Sequence, residues 1–247
     1  MAITRTASAQ RQRVFIIERP QTLSDFQIMN EHIYGPANQR DFPPERIMRR
    51  LFRESGFMLE AARKDARLSF GVCLPDTLSW LLAFANSLGI NLHEAVWYKY
   101  PGVCFACLQP KNCPCGVEQP RDIPDRERRL RGYRRHRIKR EPQTLVQEQA
   151  LQRTLYGRQN ERIFLIQTVS HLGEEMGELA EAFDLSDPHE MSLEMADVFS
   201  WLCATATRLD LDLDTLMWQR YSYECPRCHH EICDCPPPKQ AVANASH

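Results

Sequence analysis

No apolar run in the 247-residue chain approaches the roughly 18 residues needed to cross a bilayer. The N-terminal stretch has only Val14-Phe15-Ile16-Ile17 where a secretion signal needs a longer apolar core. These two absences predict a chain without a membrane span, resident in the cytoplasm. Strand signals are missing too: no segment alternates apolar and polar residues convincingly, which points to an all-α fold. Net charge is nearly absent, at -1, yet 43% hydrophobic and 26% charged residues are enough for a buried core and exclude disorder throughout.

The small net charge hides an asymmetry. Residues 121–141 hold 10 of the 31 basic and 4 of the 32 acidic residues, so one basic patch interrupts an otherwise acidic protein. Ten cysteines are present. In a reducing compartment they are read as metal ligands rather than as a disulfide framework.

The chain repeats itself. Shifted by 121 positions, residues 54–107 align with 175–228 without a gap and with sixteen identities, where chance gives roughly three. Matched pairs include Asp76 with Asp197, Trp80 with Trp201, Trp97 with Trp218 and Tyr100 with Tyr221. Each copy ends in four cysteines, Cys104, Cys107, Cys113 and Cys115 in the first and Cys225, Cys228, Cys233 and Cys235 in the second. Four thiolates are the number a tetrahedral structural zinc takes, so two zinc ions are expected, one per cluster; disulfides and an iron–sulfur cluster are the alternatives. The expected division is 1–118 for a first repeat, 119–145 for an arginine-rich linker and 146–247 for a second repeat.

Periodicity within each copy is helical. Ile163, Ile166, Val169, Leu172, Met176, Leu179 and Phe183 recur every three or four residues, as do Met195, Val198, Leu202, Thr205 and Leu209. Ser186-Asp187-Pro188 separates the two helices, and a third follows through Leu216 and Trp218. The expected architecture is therefore two tandem helical hairpins packed as a pseudo-dimeric four-helix core, each followed by a short helix and a small zinc-binding segment.

The second copy places Glu174, Glu175 and Glu178 on one helix and Glu194 and Asp197 on the next. An antiparallel hairpin would bring these carboxylates together, and like charges at such spacing call for a cation among them. Oxygen-only ligands select Mg²⁺ or Mn²⁺. The first copy carries Arg53, Glu54, Phe57, Cys73 and Asp76 at the matching positions, so three of the five acids are gone while the hydrophobic frame remains. One working and one lapsed metal site explain this selectivity better than a solvated acidic face does.

These residues resemble the MazG-type members of the all-α nucleoside triphosphate pyrophosphohydrolase superfamily, whose signature is Glu-Glu-x-x-Glu, a variable gap and Glu-x-x-Asp. The resemblance is strong over 155–224 and degenerate over 52–100. It implies Mg²⁺-dependent hydrolysis of (deoxy)nucleoside triphosphates to the monophosphate and pyrophosphate. It further implies metal binding by Glu175, Glu178, Glu194 and Asp197, with Glu174 activating water. Where the family often has a lysine after the second motif helix, this chain has Arg220, read as a phosphate contact, and Glu224 stands where an asparagine is usual.

Two further residues are assigned to the substrate pocket, His171 as a polar wall and Trp201 as a surface for the base. Trp80 occupies the position of Trp201 in the lapsed copy, so core packing is the competing reading of that tryptophan. The expected partners are the nucleotide, the other half of the chain as internal pseudo-dimer partner, and a second chain in a larger homo-oligomer. Two other functions stay open: a non-enzymatic zinc module whose arginine-rich linker binds nucleic acid, and a scaffold without activity.

Overall fold

The computed structural model describes residues 18–115, 123–136 and 141–236. They form nine α-helices and no strand. The first half contains α1 (Leu23–Asp41), α2 (Pro44–Arg63), α3 (Phe70–Leu88) and α4 (Leu92–Lys99), followed by the first cysteine cluster. A helix in the connecting region, α5 (Arg126–Arg135), leads to α6 (Leu145–Asn160), α7 (Leu165–Asp184), α8 (Pro188–Arg208) and α9 (Leu213–Tyr221), and then to the second cluster. The fold is thus all-α, and the element order of the first half recurs in the second.

Local chemistry sets the helix boundaries. Asp187 accepts from the backbone N–H groups of His189 and Glu190 and stands before Pro188, so the orphan donors at the start of α8 are satisfied and its first turn is preset. Asn91 caps α4 by accepting from Glu94, and Asp212 caps α9 by accepting from Thr215, at corresponding positions. Gly89 ends α3 in the left-handed conformation that a glycine adopts without strain.

The hairpins α2–α3 and α7–α8 pack together as a four-helix core, with α2 against α7 and α3 against α8. Of the apolar stripe expected in the second half, Met195, Val198 and Leu202 are fully buried; of the stripe expected in the first, Leu81 and Phe84 are fully buried, Leu88 is half-buried and Val72 is exposed, while Leu74 and Leu78 are fully buried in addition. Phe84 meets Phe183 edge-on across the junction, with ring centroids 5.5 Å apart. Each such side chain contributes about 1.5–3 kcal/mol of burial, so neither hairpin is satisfied alone. The segment Arg67–Leu88 is apolar enough, at mean hydropathy 1.5, to pass for a membrane span by composition, although 61% of that window is buried inside the fold.

Sequence reading missed the helix that opens each half. Thr22 and Thr144 cap α1 and α6 in the same way, each accepting from the N–H three residues on. Gln27 and Gln149 repeat one interaction in detail. Each donates from its amide to a carbonyl of the loop after the hairpin (Ile90, Leu211) and accepts from a backbone N–H at the next helix (Leu92, Leu213). The two glutamines, like the two threonines, are 122 positions apart, one more than the spacing within the hairpins.

The connection between the halves is also more ordered than a solvated linker. Leu130 of α5 is fully buried with Val103 and Leu108 beside the first cysteine cluster. Arg134 lies over Tyr98, 3.6 Å from the ring centroid, and donates to the Tyr98 carbonyl. Residues 119–122 and 137–140 of the expected linker lie outside the described residues.

The halves exchange their ends. α4 of the first half packs on α8 of the second, and α9 of the second packs on α3 of the first. The Cys113 N–H donates to the Leu155 carbonyl of α6, and the Cys233 N–H to the Ile33 carbonyl of α1. Each cysteine segment therefore docks on the opposite half and closes that half's hairpin.

Candidate active site

Residues three or four apart on a helix share a face, so α7 presents Glu175 and Glu178 toward α8, which presents Glu194 and Asp197 in return. Glu175, Glu194 and Asp197 form a trio whose nearest carboxylate oxygens all lie within 4.8 Å of one another. Burial pushes the Glu175 carboxyl up to about 7, helped by the charges of Asp197, Glu178 and Glu194 and opposed by a hydrogen bond from Trp201. Glu194 is likewise pushed up to about 7, first by burial and then by Asp197 and Glu178, while Lys99 pulls the other way. Its Oε2 is buried without a hydrogen-bond partner. Three crowded carboxylates, one with an unsatisfied buried oxygen, are a donor set that fits a hard divalent cation.

The cation that the structure brings to the trio comes from the other half. The Lys99 Nζ at the end of α4 donates to Asp197 and lies 3.9 Å from Glu194. The neighbouring Tyr100 hydroxyl donates to the other Asp197 oxygen. Both side chains arrive through the exchange of α4, so the site is built from two halves. A cavity of about 340 Å³ opens beside it, walled by Tyr100, Phe105, Tyr156 and Trp201 and floored by Glu175 and Asp197.

The remaining site residues distribute unevenly. Glu178 is exposed and reaches the trio through its charge, without joining the close oxygen cluster. Glu174 is exposed on the outer face, where its carboxylate meets His171 Nδ1 at 2.7 Å. Trp201 packs against the core and also lines the cavity; its Nε1 donates to Glu175 at 3.1 Å and its ring stacks on His171 with centroids 4.6 Å apart. Arg220 lies elsewhere. Its guanidinium binds Asp76 at 2.9 and 3.2 Å, because α9 crosses to the first hairpin and takes Arg220 away from the acids of its own half. Lys99 holds the place that the sequence reading gave to Arg220. The signal was available, since Lys99 and Arg220 are 121 residues apart and thus equivalent, but the exchange of ends is a tertiary feature that no local pattern reveals.

Both cysteine clusters assemble. Within the first, sulfur separations run from 3.3 to 4.0 Å, and in the second Cys225 and Cys235 are 3.9 Å apart. A disulfide needs about 2.05 Å, whereas sulfurs bound 2.3 Å from one tetrahedral zinc sit roughly 3.8 Å apart. The two turns are alike: the Cys104 N–H bonds the Gln109 carbonyl and the Leu108 N–H the Cys104 carbonyl, and Cys225, His230 and His229 repeat this. Leu108 and His229 both take positive φ to close them. Burial alone would raise the Cys225 thiol, but hydrogen bonds from the backbone of Cys228 and Arg227 bring it down to about 7, toward the thiolate that a metal requires. The chemistry of both quartets fits zinc.

Comparison with known proteins agrees with this geometry. No curated protein and no solved structure matches the chain. The model of the MazG nucleotide pyrophosphohydrolase domain matches residues 165–218, from the start of α7 into α9. The segment that carries the carboxylate trio is thus similar to the MazG nucleotide pyrophosphohydrolase domain.

Proposed function

We propose that the protein hydrolyses (deoxy)nucleoside triphosphates to the monophosphate and pyrophosphate with Mg²⁺ or Mn²⁺, at a site shared by its two halves. The observation that carries this reading is the trio Glu175, Glu194 and Asp197, crowded to the point that two of its members are pushed up to about 7. Glu175, Glu194 and Asp197 would hold the ion, with Glu178 adding charge from the rim. When bound, a divalent cation neutralises triphosphate oxygens and acidifies a water directed at the α-phosphorus.

The chain's own groups do the rest. Lys99 occupies the carboxylate cluster as a point charge on a flexible stem, and its reach lets it turn from Asp197 to a phosphate oxygen. Tyr100 keeps one Asp197 oxygen fixed while this happens. Trp201 orients Glu175 through its indole N–H and offers a ring face in the cavity for a base. Glu174 and His171 stand as an outer pair, where Glu174 would accept a proton from water only through an intervening solvent molecule. Two structural zinc ions would fix the segments that deliver Lys99 and Tyr100, and the free thiols of both clusters suit a reducing compartment such as the cytoplasm. Within the basic connection Arg134 is engaged by Tyr98 and Glu127, and the match over residues 165–218 favours the nucleotide reading over nucleic-acid binding.

The test is release of pyrophosphate from a panel of NTPs and dNTPs, with Mg²⁺, with Mn²⁺ and without added metal. Metal-dependent release of one pyrophosphate per monophosphate is expected. Release of orthophosphate, or none from any member of the panel, would overturn the reading.

A further inference from the structure

The position in the first hairpin that corresponds to the acidic trio is also a cavity, of about 270 Å³, but its charge is reversed. Arg50 and Arg53 replace His171 and Glu174, and Phe57 and Cys73 replace Glu178 and Glu194. The two acids that remain are already neutralised: Arg53 pairs with Glu54 at 2.6 Å, and Arg220 grips Asp76, which also accepts from the Tyr221 hydroxyl at 2.7 Å. No vacancy for a divalent cation is left.

Arg50 and Arg227 also line this cavity, and neither forms an ion pair among the described residues. Arg50 is half-buried, and burial together with Arg53 and Arg46 disfavours its charged form, while Glu54 opposes them. Phe42 and Trp80 pack on each other with ring centroids 5.5 Å apart, and the Arg46 and Arg50 guanidinium groups lie over the Phe42 ring at 4.8 and 5.8 Å, which leaves Trp80, of the two, as the aromatic side chain of the cavity. At the inner end, Asn30 is 2% exposed. Its amide nitrogen donates to the carbonyl and hydroxyl oxygens of Ser79, which fixes its orientation and leaves its buried Oδ1 without a partner behind the cavity wall.

We propose that this cavity binds a nucleoside monophosphate without a metal ion. Arg50 and Arg227 supply two positive charges for a phosphate dianion, and Trp80, which lines the cavity, supplies a face for a base. The volume, about 270 Å³, falls just below the roughly 300–1,000 Å³ of small-molecule sites, so the ligand it admits is no larger than a mononucleotide. On this view, loss of the acids converted the site from cation to anion recognition. The inference is independent of turnover at the acidic trio, because it concerns binding in the absence of Mg²⁺.

The experiment is calorimetric titration of the full-length, zinc-loaded protein in Mg²⁺-free buffer with AMP, GMP, CMP and UMP, and separately with inorganic phosphate. At least one nucleotide should bind with one site per chain, at least tenfold tighter than phosphate. Arg50→Ala and Arg227→Ala should each weaken it about tenfold, and Arg50→Lys by less, since it keeps charge but loses the planar fork. Lys99→Ala should leave it unchanged. Circular dichroism reports whether each variant is folded; Arg227 is exposed and Arg50 half-buried, so neither side chain belongs to the core. The proposal is overturned if no nucleotide binds without Mg²⁺, if phosphate binds as tightly as the nucleotide, or if Lys99→Ala weakens binding while the arginine variants do not. Pyrophosphate release measured with Mg²⁺ on the same samples separates this outcome from failure of the hydrolytic reading.

Discussion

The two hairpins share a frame and differ in what they hold. In one, three carboxylates crowd around a lysine; in the other, two carboxylates are each capped by an arginine and two more arginines face a cavity. What stays constant is the aspartate at the third-helix position, Asp76 or Asp197. Each is held by a tyrosine hydroxyl and a basic side chain arriving from the opposite half. The frame therefore specifies an aspartate, a tyrosine and a cation, and the sign of the site is decided by four positions around them. Substitution there can change the ligand without touching the core.

The sharpest way to break this comparison is to remove a charge from each side. Glu175→Gln keeps the shape but deletes a ligand from the trio, and pyrophosphate release should fall by at least 10²–10³-fold, as when one electrostatic contact to the reacting centre is lost. Glu54→Gln, its counterpart, should leave turnover per folded molecule within about twofold, because Glu54 serves only Arg53. Equal losses in the two variants would mean that the lapsed site takes part in catalysis.

A second comparison lies at the seams. His93 and Asp214 occupy equivalent positions in the short helices. His93 meets Glu148 at 2.8 Å and Glu141 at 2.7 Å, joining the first half to α6. The hydrogen bond that His93 donates to Glu148 raises the His93 value against the effect of burial, while burial raises Glu148 despite His93. His93→Ala strands a buried carboxylate and should cost about 3–5 kcal/mol in urea unfolding. Asp214 pairs with the more exposed Arg19, so Arg19→Ala should cost less than about 1 kcal/mol. Similar costs for the two would show that the seam is not held by the His93 cluster.

The exchange of ends gives the next test. Lys99 belongs to the half without the trio, yet Lys99→Ala should lower turnover by roughly 10–10²-fold, with Lys99→Arg retaining part of it. Arg220→Ala, in the half that carries the trio, should change it by less than about twofold. The reverse result would return Arg220 to the role that its place in the sequence suggested.

These contrasts also mark what the sequence makes legible. Hairpin helices, their break at Asp187-Pro188, the face shared by Glu175, Glu178, Glu194 and Asp197, and the cysteine quartets all follow from spacing, because spacing alone sets which side chains meet within an element or across a tight turn. The opening helices escaped for a physical reason. Their buried faces carry polar residues, Asn30 in α1 and Glu148, Gln152 and Asn160 in α6, so apolar periodicity fades just where hydrogen bonds to the neighbouring helix replace it. Their one-residue shift in spacing hides them from the alignment as well. Lys99 escaped because its role depends on which half α4 packs against, and Arg134 because an arginine stacked on Tyr98 looks, in sequence, like any other solvated charge.

The smallest expected effect concerns pH, and it separates the two cavities by their chemistry. Glu175 and Glu194 both stand near 7 in the metal-free protein, above the ordinary carboxylate value of 4.5. A folded chain that holds protons its unfolded form has released gains stability from them below about 4.5 and loses it as pH climbs through about 7. Metal binding runs the other way, since the ligands must be ionised, and below 7 each protonated carboxyl weakens Mg²⁺ by up to about tenfold per pH unit. The rise in Tm on adding saturating Mg²⁺ should accordingly be larger at pH 8 than at pH 6, and Glu194→Gln should flatten the difference. The arginine-lined cavity has its two acids already paired, so Mg²⁺ bound there would show no such dependence. A Tm gain equal at pH 6 and pH 8 would show that the ion sits away from the crowded carboxylates, and with it the distinction drawn between the two halves would fail.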